Sequence, residues 1–85
     1  MQQQEIIKHY GYEHQLIKLL EELKELEDVI LNCPTHEEHL QEEMADVLNL
    51  IEQIMAYKDW VADICEIKEY KINRQLKRIE LEKNK

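Results

Sequence analysis

An all-α bundle is the fold this sequence predicts, and three observations predict it. Of its 85 residues, 44% are apolar and 35% are charged, a balance suited to amphipathic helices. One Gly, one Pro and no Phe leave almost nothing for hairpin turns. Along three long stretches the apolar residues recur every three or four positions, the period of a helix with one buried face. So short a chain buries only roughly 60% of its unfolded surface. The expected architecture is therefore one domain, residues 1–85, whose core is completed in a homodimer or homotetramer.

Ile6, Ile7 and Tyr10 support a short leading helix over Met1–Tyr10, which Gly11 interrupts. The first long helix, Tyr12–Leu31, carries Leu16, Leu19, Leu20, Leu23, Leu26 and Ile30 on one arc. Asn32-Cys33-Pro34 stops it, because proline lacks the amide donor and biases the preceding residue away from the helical region. Thr35 followed by Glu38 fits a capping box opening the second helix, His36–Tyr57. Its expected buried face is Leu40, Met44, Val47, Leu48, Ile51, Ile54 and Met55. Asp59 is positioned to cap a third helix, Trp60–Leu81, with Val61, Ile64, Cys65, Ile72, Leu76 and Ile79 inside, and residues 82–85 form a polar tail expected to fray.

The net charge of −8 argues against a nucleic-acid polymer or an anionic membrane as partner, since a phosphate backbone would be repelled over most of the surface. No apolar run reaches membrane-spanning length. Two cysteines cannot make a disulfide framework, and no secretory segment opens the chain, so a cytoplasmic location is expected.

Two acidic clusters interrupt the helical patterns. Glu22 and Glu25 lie three apart on the first long helix, as do Glu43 and Asp46 on the second, which puts each pair on one face about a turn apart. Four such oxygen ligands from two adjacent helices suit Mg²⁺ or Mn²⁺. Spacing alone is weak evidence in so acidic a chain, because Asp63, Glu66 and Glu69 share it. Helical phase discriminates better: Glu43 falls within the apolar arc and Asp46 at its edge, where an unpaired carboxylate is costly. Gln15, Lys18, Glu22 and Glu25 form one polar ridge, and on the third helix Lys68 lies inside the arc, with Lys71, Arg74 and Arg78 beside it. These margins fit a cleft in which cations neutralise the acids and the basic side chains receive phosphate oxygens. They fit equally a set of bundle-edge salt bridges between the same acids and Lys68, Lys71 and Arg74. Glu27 also lands on the apolar arc, with an oligomer interface as its expected place.

Glu21-Glu22-x-x-Glu25 followed by Glu43-x-x-Asp46 resembles the signature of the MazG-like all-α nucleoside triphosphate pyrophosphohydrolases. The approach Gln15-Leu-Ile-Lys18-Leu-Leu-Glu-Glu-Leu, the run Asp46-Val-Leu-Asn49-Leu-Ile and the basic Lys71-x-x-Arg74 with Arg78 extend the similarity over roughly Tyr10 to Arg78. The resemblance implies cleavage of a nucleoside triphosphate between the α and β phosphates with Mg²⁺, or Mn²⁺ in its place. It implies Glu22, Glu25, Glu43 and Asp46 as metal ligands and catalytic acids. Lys71, Arg74, Arg78 and Lys68 would then meet the phosphates, with Gln15, Lys18 and Asn49 on the remainder of the substrate. The chain departs from fuller members in being short and poor in rings to stack a base, having only Trp60 and four tyrosines. A reading of a different class is a non-catalytic acidic helical module that assembles with itself or with a partner protein.

Cys33, His36 and His39 crowd one helix start but lack a fourth zinc ligand, and His36-Glu-Glu-His39 is one residue short of the metalloprotease spacing. Cys65, on the apolar arc, reads as a small core residue.

Overall fold

The computed structural model describes residues 2–84, and it is all-helical: α1 Gln2–Tyr10, α2 Tyr12–Asn32, α3 Glu37–Lys58 and α4 Val61–Lys83. The single glycine and the single proline both lie between helices, which leaves the helix interiors to Leu, Glu, Lys and Gln. The expected leading helix is present from Gln2; the expected frayed tail is corrected, since α4 continues through Glu82 and Lys83, and Met1 and Lys85 lie outside the described residues.

Gly11 joins α1 to α2 at φ 98°, in the left-handed region that a residue with a Cβ avoids. Its amide donates to the carbonyl of Ile7 at 2.7 Å and its own carbonyl accepts from Gln15 at 3.1 Å, so the chain bends at one residue. Both helix caps predicted from the sequence are corrected. Thr35 does not cap α3; His36 does, its Nδ1 accepting from the His39 amide at 3.1 Å, while the Thr35 carbonyl accepts from the Glu37 amide. Asp59 does not open α4. It closes α3 in the left-handed conformation at φ 57°, one that Asp tolerates better than most residues, and Trp60 begins α4 without a side-chain cap.

α2 and α3 pack as an antiparallel hairpin, as the pairings Gln15 with Gln53 and Glu25 with Glu43 show. Val29, Val47, Leu50 and Ile54 are buried there, and α1 lies against both helices through Ile7, which is completely buried. Gln15 and Gln53, each 4% exposed, satisfy one another with a 2.8 Å hydrogen bond, which ties the helices at one level. At that end of the hairpin Tyr12 stacks on Tyr57 with centroids 5.7 Å apart, and the Lys58 ammonium lies 4.5 Å from the Tyr12 ring.

The expected interiors of all three long helices need revision. On α2 Leu16, Leu20, Leu23 and Ile30 are exposed and Leu19 and Leu26 only half-buried, because α3 packs instead on the face that carries Gln15, Glu22 and Val29. Met44, Leu48 and Ile51 are exposed on α3, although they share its apolar arc with buried Val47 and Ile54. α4 buries nothing: Val61, Cys65, Ile72, Leu76 and Ile79 are exposed and Ile64 is half-buried. The physical reason is that α4 touches α3 only near the turn at Asp59 and then departs. The chain accordingly measures 53 × 35 × 19 Å with a radius of gyration of 16.4 Å, against about 12 Å for a compact chain of this length.

Candidate metal centre

The antiparallel hairpin sets residues of α2 opposite residues of α3, and at its middle three carboxylates meet. Ligand oxygens of Glu22, Glu25 and Glu43 lie within 4.8 Å of one another. Glu22 is buried, Glu43 half-buried and Glu25 exposed, so the group opens to solvent on one side. Each of the two covered acids has one oxygen near a cation. Lys18 Nζ is 3.5 Å from Glu22 Oε1, and His39 Nε2 is 3.5 Å from Glu43 Oε1, an ion pair when the imidazole is protonated. The other oxygen of each, Oε2, is buried and has no hydrogen-bond partner.

Two buried carboxylate oxygens without donors, beside a third carboxylate, form an arrangement that repels itself. Burial raises the Glu22 carboxyl above its ordinary pKa, with Glu25 and then Asp46 adding to the shift and Lys18 opposing it. Reciprocally, Glu21 and Glu22 raise the Lys18 ammonium, which keeps it charged. A divalent cation held by these oxygens would supply the positive charge that the bare oxygens lack and relieve the repulsion. The donor set, all carboxylate oxygen, suits Mg²⁺ or Mn²⁺.

Beside the carboxylates runs an open cleft of about 520 Å³ lined by Tyr10, His14, Gln15, Lys18, Glu21, Glu22, Asp46, Asn49 and Leu50. Asp46 is thus on the same cleft but outside the close group of three, and its influence on Glu22 is through charge. Gln15 faces the cleft yet is committed to Gln53 and to His14, whose Nδ1 is 2.8 Å from its Oε1. Asn49 accepts from Gln3 of α1 at 3.4 Å. Lys18 is the one basic side chain of the cleft apart from histidine.

Lys68, Lys71, Arg74 and Arg78 are not brought to the cleft within the chain, because they ride on the departing α4. For the same reason, among the described residues no ion pair joins them to Glu22, Glu25, Glu43 or Asp46, so the bundle-edge salt bridges are not made. Cys33, His36 and His39 form no ligand group; His36 is spent on the cap. Three participants escaped the sequence reading. Gln53 could have been found by phase, since it sits with Leu50 and Ile54 on the buried side, and His39 by its four-residue spacing to Glu43. The third is the stacked pair Tyr10 and His14, 5.2 Å apart and 17° from parallel, at the cleft wall. Gly11 lies between them in the chain, but they are four positions apart, the spacing of neighbours on one helical face, so the period contains that pairing too.

No family model, curated protein or solved structure matched this chain. Among the described residues no helix is long and apolar enough to cross a membrane.

Proposed function

We propose that the carboxylate group of Glu22, Glu25 and Glu43, with the cleft beside it, is the metal centre of a Mg²⁺- or Mn²⁺-dependent nucleoside triphosphate pyrophosphohydrolase. The observation that carries the reading is the convergence of Glu22, Glu25 and Glu43, with a bare buried oxygen on two of the three. When bound, the cation would polarise phosphoryl oxygens and lower the pKa of a water molecule. The chain's own residues do the rest. Glu22, Glu25 and Glu43 hold the cation, and Asp46 draws a further positive charge to the same wall. Lys18, held cationic by its two acidic neighbours, receives a phosphate oxygen. Asn49 is placed to meet the sugar, and the exposed Tyr10 ring stacked on His14 offers a flat surface on which a base can lie.

Electrostatics supports the need for metal. A cleft carrying Glu21, Glu22 and Asp46 against Lys18 repels a free triphosphate and accepts one only when divalent cations offset both charges. The basic residues of α4 play no part in this reading, because the chain does not present them to the cleft.

The deciding experiment is product analysis after incubating the protein with a panel of ribo- and deoxyribonucleoside triphosphates in Mg²⁺, then Mn²⁺, beside Glu43→Gln. Monophosphate and pyrophosphate from the wild type, with turnover reduced about a hundredfold or more in the variant, is the expected result. Release of orthophosphate instead, or no turnover with either metal, would overturn the assignment.

A further inference from the structure

The hairpin has a second side. On α2 the exposed residues Leu16, Leu20, Leu23 and Ile30 form a stripe, and on α3 Met44, Leu48 and Ile51 form another. Each stripe is turned by roughly 100° from the residues buried between the helices. Because the helices are antiparallel, equal turns bring both stripes to one side of the hairpin, opposite the cleft. α4 carries a third exposed stripe through Ile72, Leu76 and Ile79. A compact protein of this mass would expose about 5,400 Å², whereas this chain exposes 7169 Å². The surplus is what an obligate dimer removes from each partner.

We propose that a second copy of the chain covers this face by laying its α4 antiparallel along α2. Register and charge choose the partner. One charged residue shares the face of each stripe, Glu27 within that of α2 and Lys68 one turn before Ile72 on α4, and both are exposed. Setting Glu27 opposite Lys68 in the antiparallel sense puts Leu23 opposite Ile72 and Leu16 opposite Ile79, with Leu76 level with Leu19 beside Leu20, so the apolar positions match along the helix. In the parallel sense Leu76 and Ile79 would run past the end of α2 at Asn32. The antiparallel sense also requires another molecule: a helix folding back along α3 within the same chain would run parallel to α2. Between Lys68 and Arg78, α4 has five basic residues and one acid, Glu69, while α2 and α3 are both predominantly acidic. Two hairpins packed face to face would instead bring acid against acid. Exchange of α4 is isologous, so each dimer contains the Glu27 and Lys68 contact twice. This inference does not depend on the chemistry of the cleft, which lies on the opposite side.

Sedimentation equilibrium on the wild type, Lys68→Glu, Glu27→Lys and the double variant tests it, with helical circular dichroism as the control for folding. All three variants change exposed positions only. The wild type should self-associate at micromolar concentration, each single variant should weaken association at least about tenfold by setting like charges opposite one another, and the double variant should restore it. A wild type that stays monomeric overturns the proposal. So does association indifferent to Lys68→Glu, the behaviour of face-to-face hairpins, and so does a double variant no better than the singles.

Discussion

The helices at the two ends of the chain are built in inverse proportion to what holds them. α1 has nine residues and buries Ile7 completely against α2 and α3; α4 has 23 and buries none. An isolated helix as short as α1 is not stable in water, so its existence is a product of docking. α4 is long enough to sustain itself by local hydrogen bonds and side-chain pairs while its apolar stripe stays open. Length reports how a helix can persist, and burial reports what it is attached to.

The largest effect that could break this contrast comes from truncating the anchor. Ile7→Ala should cost about 2–5 kcal/mol by thermal or urea unfolding, whereas Ile72→Ala, measured where the chain is monomeric, should cost less than about 0.5 kcal/mol. Comparable losses at the two sites would mean that α4 is docked within its own chain. A smaller effect concerns the polar contents of the region α1 helps to wall. Glu22 has its carboxyl raised in the fold, so the folded state keeps a proton that the unfolded chain releases. In chelator, stability should therefore fall as pH rises from the ordinary Glu value through the raised one, and Glu22→Gln should flatten that slope. Mg²⁺ displaces the proton, so its stabilising effect should grow over the same interval and vanish in the variant. Melting temperatures across pH with and without Mg²⁺ measure both, and a metal effect unchanged in Glu22→Gln would remove Glu22 from the ligand set. The smallest effect separates a capped helix from an uncapped one. His36→Ala should lower stability by about 0.5–1 kcal/mol, read from urea midpoints, because α3 loses the acceptor for the His39 amide; α4 has no such bond to lose.

Helix positions and the acids that converge were readable because both depend on local period. Glu22 and Glu25 share a face by spacing, and Glu43 stood out as a carboxylate in an apolar arc, a misfit that the cluster explains. What the period does not contain is the identity of the covering element. Met44, Leu48 and Ile51 have the same helical credentials as Val47 and Ile54, but one set meets α1 and α2 and the other meets solvent. α4 is the extreme case: its apolar residues do form an arc, and beyond the turn at Asp59 none of the described residues buries it. Charge complementarity alone pairs its basic residues with the acids, but the direction in which α4 leaves the turn keeps them apart. The caps failed on a finer scale, since Thr35 and His36 are adjacent and both can accept an amide, so the choice between them belongs to the turn around Pro34.

Gln3 of α1 reaches across to Asn49 and Glu52 of α3, 46 and 49 positions later in the chain. During synthesis at about 5–20 residues per second, α1 therefore emerges from the ribosome roughly 2–10 s before its docking surface exists. The helix made first is the one that must wait longest, and Ile7 stays uncovered through that interval. The α2–α3 hairpin can begin to close at the short turn Cys33–His36, where Glu25 and Glu43 are only 18 positions apart, which makes it the unit on which the remainder assembles.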